Sequence, residues 1–322
     1  MVKIIAELCQ NHNGDLKILD EMVHAASEAG ANFAKIQSML SNDLTHRRKF
    51  DSGEKNDKGD IVTIKRPYKN EYERLKKLDL DDQQHFLFLE MCKKYKIKPM
   101  TTIFSRSRLK FLNTLEIEKI KVSSFDCSSY KMIEELCNSN FKEIIISTGC
   151  AYDDEIKKTS EILKKHKKEF TLMHCVSIYP TPINEAHLDR IDFLRNFCNN
   201  VGLSEHSNPS IDELKISIAS LIYKPKYIER HFTILEPNQS KDGPVSLNPQ
   251  QLKELVEISK KKDEEIKNYI NEKIDNIDQL IGDKTRKLST MEKLNRDYYR
   301  GRFASIASDG GYIYNWDDIE LN

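Results

Sequence analysis

The chain has 322 residues, with 51 Lys and Arg against 51 Asp and Glu, so bulk charge gives it no hold on nucleic acid or on an anionic membrane. Apolar runs stay as short as 144–146 and 216–223, which excludes a membrane-spanning helix. Residues 1–8 enter a strand at once, without a signal peptide's apolar stretch and cleavage site. Seven cysteines without a C-x-x-C pair fit reduced cytoplasmic thiols better than a disulfide framework, with Cys9, Cys150 and Cys175 near strand ends.

Short apolar runs alternate with amphipathic Lys/Glu-rich stretches along the chain. A strand over 4–8 is followed by a helix over 17–29, stopped by Gly30, and a second strand over 33–36. Residues 42–70 are polar and long for a connection, which predicts an active-site loop or a solvated insert. A helix over 81–95 shows helical apolar spacing at Phe88, Met91, Cys92 and Tyr95. Strands follow over 98–102, 118–122, 143–147, 170–174, 201–204 and 227–232. Between them the pattern predicts helices over 107–114, 130–139, 154–166, 188–197 and 211–223. One Lys/Glu-rich helix is expected over 249–274, and 300–322 reads as a small element turning at Gly310-Gly311. Strands separated by helices imply parallel pairing, and eight of them predict a closed (β/α)8 TIM barrel. An open doubly wound sheet is the second choice, but no Gly-rich dinucleotide turn follows the first strand.

In such a barrel the chemistry sits at the C-terminal ends of the strands. Nearly every predicted strand ends in a polar residue: Glu7, Lys35 with Gln37, Thr101 with Thr102, Lys121 with Ser123 and Ser124, Ser147 with Thr148, His174, Ser204 with His206, and His231. Lysine is rarely buried unless paired, so Lys35 and Lys121 inside apolar strands suggest an anionic ligand. The serines and threonines are hydroxyl donors for phosphate or carboxylate, or else turn formers. His206 and His231 end neighbouring strands, where two imidazoles can share a divalent cation. His12 and His174 are weaker candidates; His24, His46, His85, His166 and His187 read as surface residues.

Five ordered blocks carry a family likeness: Ala6-Glu7-Leu8-Cys9-Gln10-Asn11-His12-Asn13-Gly14; Ala34-Lys35-Ile36-Gln37; Lys121-Val122-Ser123-Ser124; His174-Cys175-Val176-Ser177-Ile178-Tyr179-Pro180-Thr181-Pro182; and Gly202-Leu203-Ser204-Glu205-His206 with Glu229-Arg230-His231-Phe232-Thr233. On these the sequence resembles the sialic acid synthase family, which includes N-acetylneuraminate, legionaminate and pseudaminate synthases. The resemblance implies condensation of phosphoenolpyruvate with an N-acyl hexosamine aldehyde. It implies that Lys35, Thr102, Lys121, Ser124, Ser147 and Ser204 hold phosphoenolpyruvate. Gln37, Ser177 and Tyr179 would face the sugar, and His206 and His231 would bind Mn2+ or Mg2+. Glu7 and Asp126 stand where the family has glutamates near the reacting groups. A homodimer is also implied.

The resemblance divides the chain into a barrel over 1–248, a helical extension over 249–302, and a remnant over 303–322 of the family's antifreeze-like domain. The arginine that this domain gives to the sugar site is not matched, and the Gly-Pro-Asp block becomes Asp242-Gly243-Pro244-Val245. Ser177 stands where the family often has Asn, and Asp126 where it has Glu. The donor half is thus better matched than the acceptor half. Three rivals remain. A metal-free Schiff-base aldolase would use Lys121 as nucleophile. A metal hydrolase would use His206 and His231, but it lacks a His-x-His after the first strand. A sugar-binding homologue without activity is the third.

Overall fold

The computed structural model describes residues 1–321. Eight parallel strands close a barrel in sequence order: β1 (Lys3–Glu7), β2 (Phe33–Ser38), β3 (Lys98–Ile103), β4 (Lys119–Val122), β5 (Glu143–Ser147), β6 (Glu169–Cys175), β7 (Val201–Glu205) and β8 (Tyr227–His231). The register pairs Glu7 with both His231 and Lys35, Thr102 with Lys121, and Ser204 with Glu229. Because side chains alternate along a strand, this register fixes which residues share a level inside the barrel.

The interior is layered. Ile5, Phe33, Met100, Ile145, Met173 and Tyr227 form an apolar plug. Below it, at the strand starts, Glu143 is fully buried and accepts from Lys119, Thr171 Oγ1 at 2.6 Å, Lys226 Nζ at 2.8 Å and Tyr227 OH at 2.8 Å. Above the plug, at the strand ends, the lining is polar. The outer faces of the strands carry Ile4, Ala6, Ile36, Ile144, Ile146 and Leu203 into the main core beneath the helices. Arg230 also points outward. It pairs with Glu205 and donates to Ser217 Oγ at 3.0 Å.

The expected helices form with some revisions. The first runs Leu16–Glu28, capped by Asp15 and ended before Gly30 at φ +85°. The helix expected over 211–223 begins only at Lys215, because Asn208 O takes the amides of Ile211 and Asp212 in turns and Glu213 lies at φ +54°. The helix expected over 249–274 is two, Pro249–Ser259 and Asp263–Lys273. Three acidic residues, Asp263, Glu264 and Glu265, favour a fresh N-terminus after the 260–262 lysines. The first of the two packs on the first barrel helix and on Lys215–Ala219. The expected boundary at 248 therefore falls before the last helix of the ring.

The 42–70 insert carries a short helix, Lys49–Ser52, and a hairpin of Glu54–Lys55 with Ile61–Thr63. His85, expected on the surface, is buried against Phe111, with a ring nitrogen 2.8 Å from Asp81 O. It lies on the same side of its helix as Phe88 and Cys92, so the apolar stripe continues through it. After the helix Thr290–Tyr299, Ser305–Ile306 pairs with Tyr312–Ile313 as a hairpin. The last residue of the expected remnant, Asn322, lies outside the described residues.

Candidate active site

A cavity of about 410 Å³ opens at the C-terminal ends of the strands. Its floor is built from one inward-facing residue of each of several strands: Glu7, Lys35, Thr102, Lys121, Ser147, Ser204 and Glu229. Lys35 pairs with Glu7, donates to Thr102 Oγ1 at 2.8 Å and lies 3.7 Å from Glu229 Oε2. Lys121 donates to Ser147 Oγ at 2.7 Å and to Glu229 Oε1 at 3.2 Å. Ser204 Oγ donates to the same Glu229 oxygen at 3.0 Å. Glu229 is thus the shared anion between two ammonium groups.

The electrostatics follow from that arrangement. Burial opposes the charge on Glu229, but Lys121 and Lys35 outweigh it and hold the carboxyl well below the usual carboxylate range. Burial likewise opposes the charge on Lys35, yet Glu229 and Glu7 raise its pKa. Two carboxylates and two ammonium groups face one another here, so an incoming anion meets Glu7 and Glu229 as competitors for Lys35 and Lys121.

Around the rim stand His206 and His231, with ring centroids 5.1 Å apart, and Tyr179, whose ring meets His206 at 4.5 Å. Burial, reinforced by His231, pushes His206 well below its usual pKa, so its ring is neutral and offers a lone pair. Cys9 Sγ lies 3.4 Å from His231 Nδ1, and Cys9, His231 and Asp242 each bring one donor atom within 4.8 Å of the others. Imidazole, thiol and carboxylate donors together suit a divalent cation. Gln37 donates to Glu7 Oε1 at 2.9 Å and also lines the cavity.

Of the residues expected at the site, all but Ser177 line this one cavity. Ser177 is fully buried beneath it, against Gly149, where an added Cβ would come within 2.3 Å of its hydroxyl. Its amide donates to Glu292 at 3.3 Å, and its carbonyl accepts from Asn295 at 2.8 Å. Asp126 lines the cavity, but its oxygens are engaged: Ser123, Ser129 and Asn315 donate to it at 3.0, 3.0 and 2.9 Å. Burial raises its pKa despite those donors. Ser124 Oγ accepts from the Gly149 amide at 3.1 Å.

Several lining residues were not foreseen. Glu229 was legible in principle, since period-two alternation that turns His231 inward turns Glu229 inward too. The wall from the C-terminal segment carried no such signal: Asn295, Tyr299, Arg302 and Phe303 join Phe104 and Phe125 there, with Tyr299 stacked on Phe125 at 4.7 Å. Arg66 comes from the 42–70 insert and Lys241 from the loop after β8.

Comparison with known proteins agrees with the barrel fold. A model described as the NeuB family matches residues 22–270. The N,N'-diacetyllegionaminic acid synthase of Campylobacter jejuni is 29% identical over 303 residues, spanning 92% of this chain and 82% of that protein. The pseudaminic acid synthase of Helicobacter pylori is 29% identical over 264 residues, spanning 80% of this chain and 73% of that one. Among solved structures, an N-acetylneuraminic acid synthetase from Leptospira borgpetersenii, in complex with citrate, superposes with a TM-score of 0.70 at 26% identity. The match covers 92% of this chain and 90% of that one.

Proposed function

Because the chain belongs to the NeuB family, we propose that it is a synthase that condenses phosphoenolpyruvate with an N-acyl hexosamine aldehyde to form a sialic-acid-like sugar acid and phosphate. The observation that carries this reading is the pair Lys35 and Lys121, set among hydroxyls beside two imidazoles at one rim. Phosphoenolpyruvate carries a phosphate and a carboxylate. Two ammonium groups with Thr102, Ser124, Ser147 and Ser204 match that donor demand. Gln37 and Tyr179, nearer the rim, would face the sugar.

In the reaction, carbon 3 of phosphoenolpyruvate forms a bond to the aldehyde carbon, whose oxygen takes a proton and becomes a hydroxyl. Water adds to the electron-poor carbon 2. Phosphate then leaves with the bridging oxygen as the C–O bond breaks, and a ketone remains at carbon 2. Glu7 orients that water and accepts its proton, held in position by Lys35 and Gln37. Asp126, tied to three donors, keeps its loop in place beside the reacting groups. A divalent cation, Mn2+ or Mg2+, held at His206 and His231, would polarise the aldehyde oxygen when bound. The same reading implies cytoplasmic small-molecule chemistry and a homodimer.

The test is phosphate release with Mn2+ and a panel of N-acetylmannosamine, its 6-phosphate, and the legionaminate and pseudaminate precursors. Release is expected only with phosphoenolpyruvate and one of these acceptors together. Release without any acceptor, or none with the whole panel, contradicts the reading.

A further inference from the structure

Cys9 sits where the chain leaves β1, at φ +37°, a region costly for a residue with a side chain. The turn aims its thiol at His231 Nδ1, 3.4 Å away, and the Asp242 carboxylate completes a group whose donor atoms lie within 4.8 Å of one another. Zinc-type bond lengths of ~2.3 Å to sulfur and ~2.0 Å to nitrogen put two ligands of one tetrahedral ion about 3.5 Å apart. The observed separation is close to that. The loops that carry Cys9 and Asp242 are tied together by Asn11, which donates to Phe232 O at 2.8 Å and Ser246 Oγ at 2.9 Å. It also accepts from Ser240 Oγ at 2.7 Å. Ser246 Oγ in turn donates to Asp242 O at 2.6 Å. Supports of this kind are what a metal site needs behind its ligands.

We propose that Cys9 and Asp242, in place of His206, join His231 as ligands of the divalent ion, so that the site carries a sulfur ligand and takes thiophilic ions such as Zn2+, Co2+ or Fe2+ in preference to the Mn2+ or Mg2+ that a pair of imidazoles alone would hold. The proposal rests on the functional reading above only in locating the ion at the same rim. Binding breaks the Cys9 S–H bond, forms a sulfur–metal bond and releases the proton to solvent. Cys9 and His231 are buried, whereas Asp242 is partly exposed, which leaves one side of the ion open toward the cavity.

The test adds Co2+ to the metal-free full chain without substrates and records the near-ultraviolet spectrum alongside calorimetry in two buffers of different ionisation enthalpy. A sulfur-to-cobalt charge-transfer band and release of a proton are expected, and so is binding far tighter than that of Mg2+. Cys9→Ser should abolish the band and weaken Co2+ by roughly 100-fold, at or beyond the upper end of what losing an outer-shell partner costs. Cys175→Ser, whose thiol lies 3.9 Å from His206 Nδ1, should keep the band. Co2+ binding to the unaltered chain without the band, no Co2+ binding at all, or a band that survives in Cys9→Ser and vanishes in Cys175→Ser would each overturn the proposal. The unaltered chain decides the first two whether or not a variant folds. Failure of phosphate release with the band intact would instead count against the synthase reading alone.

Discussion

Glu229 lies against both Lys35 and Lys121, so on the proposed reading it would compete with the phosphoenolpyruvate anion for the same two ammonium groups. Glu229→Gln removes that competitor while keeping the shape. Calorimetry should find tighter phosphoenolpyruvate binding in the absence of acceptor, and steady-state assays should find slower turnover; weaker binding would contradict the charge balance. Lys121→Ala should lower kcat/KM for phosphoenolpyruvate by at least about 100-fold, the scale of losing one preorganised charged donor at a reacting centre. A rate within a few-fold of the unaltered chain would remove Lys121 from the site. Both lysines were visible in the sequence because a charge inside an apolar strand demands a partner. Glu229 was passed over, although the alternation that turns His231 inward turns it inward too, and the register sets it level with Ser204. The approach of Cys9 to His231 spans 222 residues of sequence, and no local pattern announces it.

The C-terminal segment is an element of the site as well as a covering. Its helix Thr290–Tyr299 begins at a capping box of Ser289 and Glu292, and the fully buried Glu292 also takes Arg286. Farther on, Asn315 donates to Asp126 at 2.9 Å and to Phe104 O at 2.9 Å, pinning the hairpin to the loops after β3 and β4. Asn315→Ala should cost about 1–3 kcal/mol, since it leaves buried acceptors short of a donor. Thermal unfolding checks this; an unchanged Tm would mean that the segment is held elsewhere. The helices themselves were legible from periodicity. Their breaks were less so, because the Asp263–Lys273 helix repeats the Lys/Glu composition of the one before it. The wall made by Asn295, Tyr299 and Arg302 follows from how that segment crosses the mouth, which composition does not encode.

The whole barrel separates two polar ends with an apolar plug, one end for the reaction and one for stability. At the strand starts, burial opposes the charge on Glu143, but Lys119, Lys226 and Thr171 bring its pKa down to about 2. A depressed carboxyl stabilises the fold fully above its unfolded value near pH ~4.3, and that stability is lost as pH falls toward the folded value. Glu143→Gln should therefore lower stability by ~3 kcal/mol at neutral pH. Melting curves of the two proteins should converge as the pH drops toward 2; a constant gap would contradict this. The eightfold alternation was readable from sequence because parallel strands buried on both faces are continuous apolar runs. The central claim, carbon–carbon bond formation with C–O cleavage, is tested most directly with phosphoenolpyruvate labelled with 18O in its bridging oxygen. The account predicts that, with a suitable acceptor, the label leaves in phosphate and a condensed sugar acid forms. Label retained in pyruvate, with no condensed product, would contradict it.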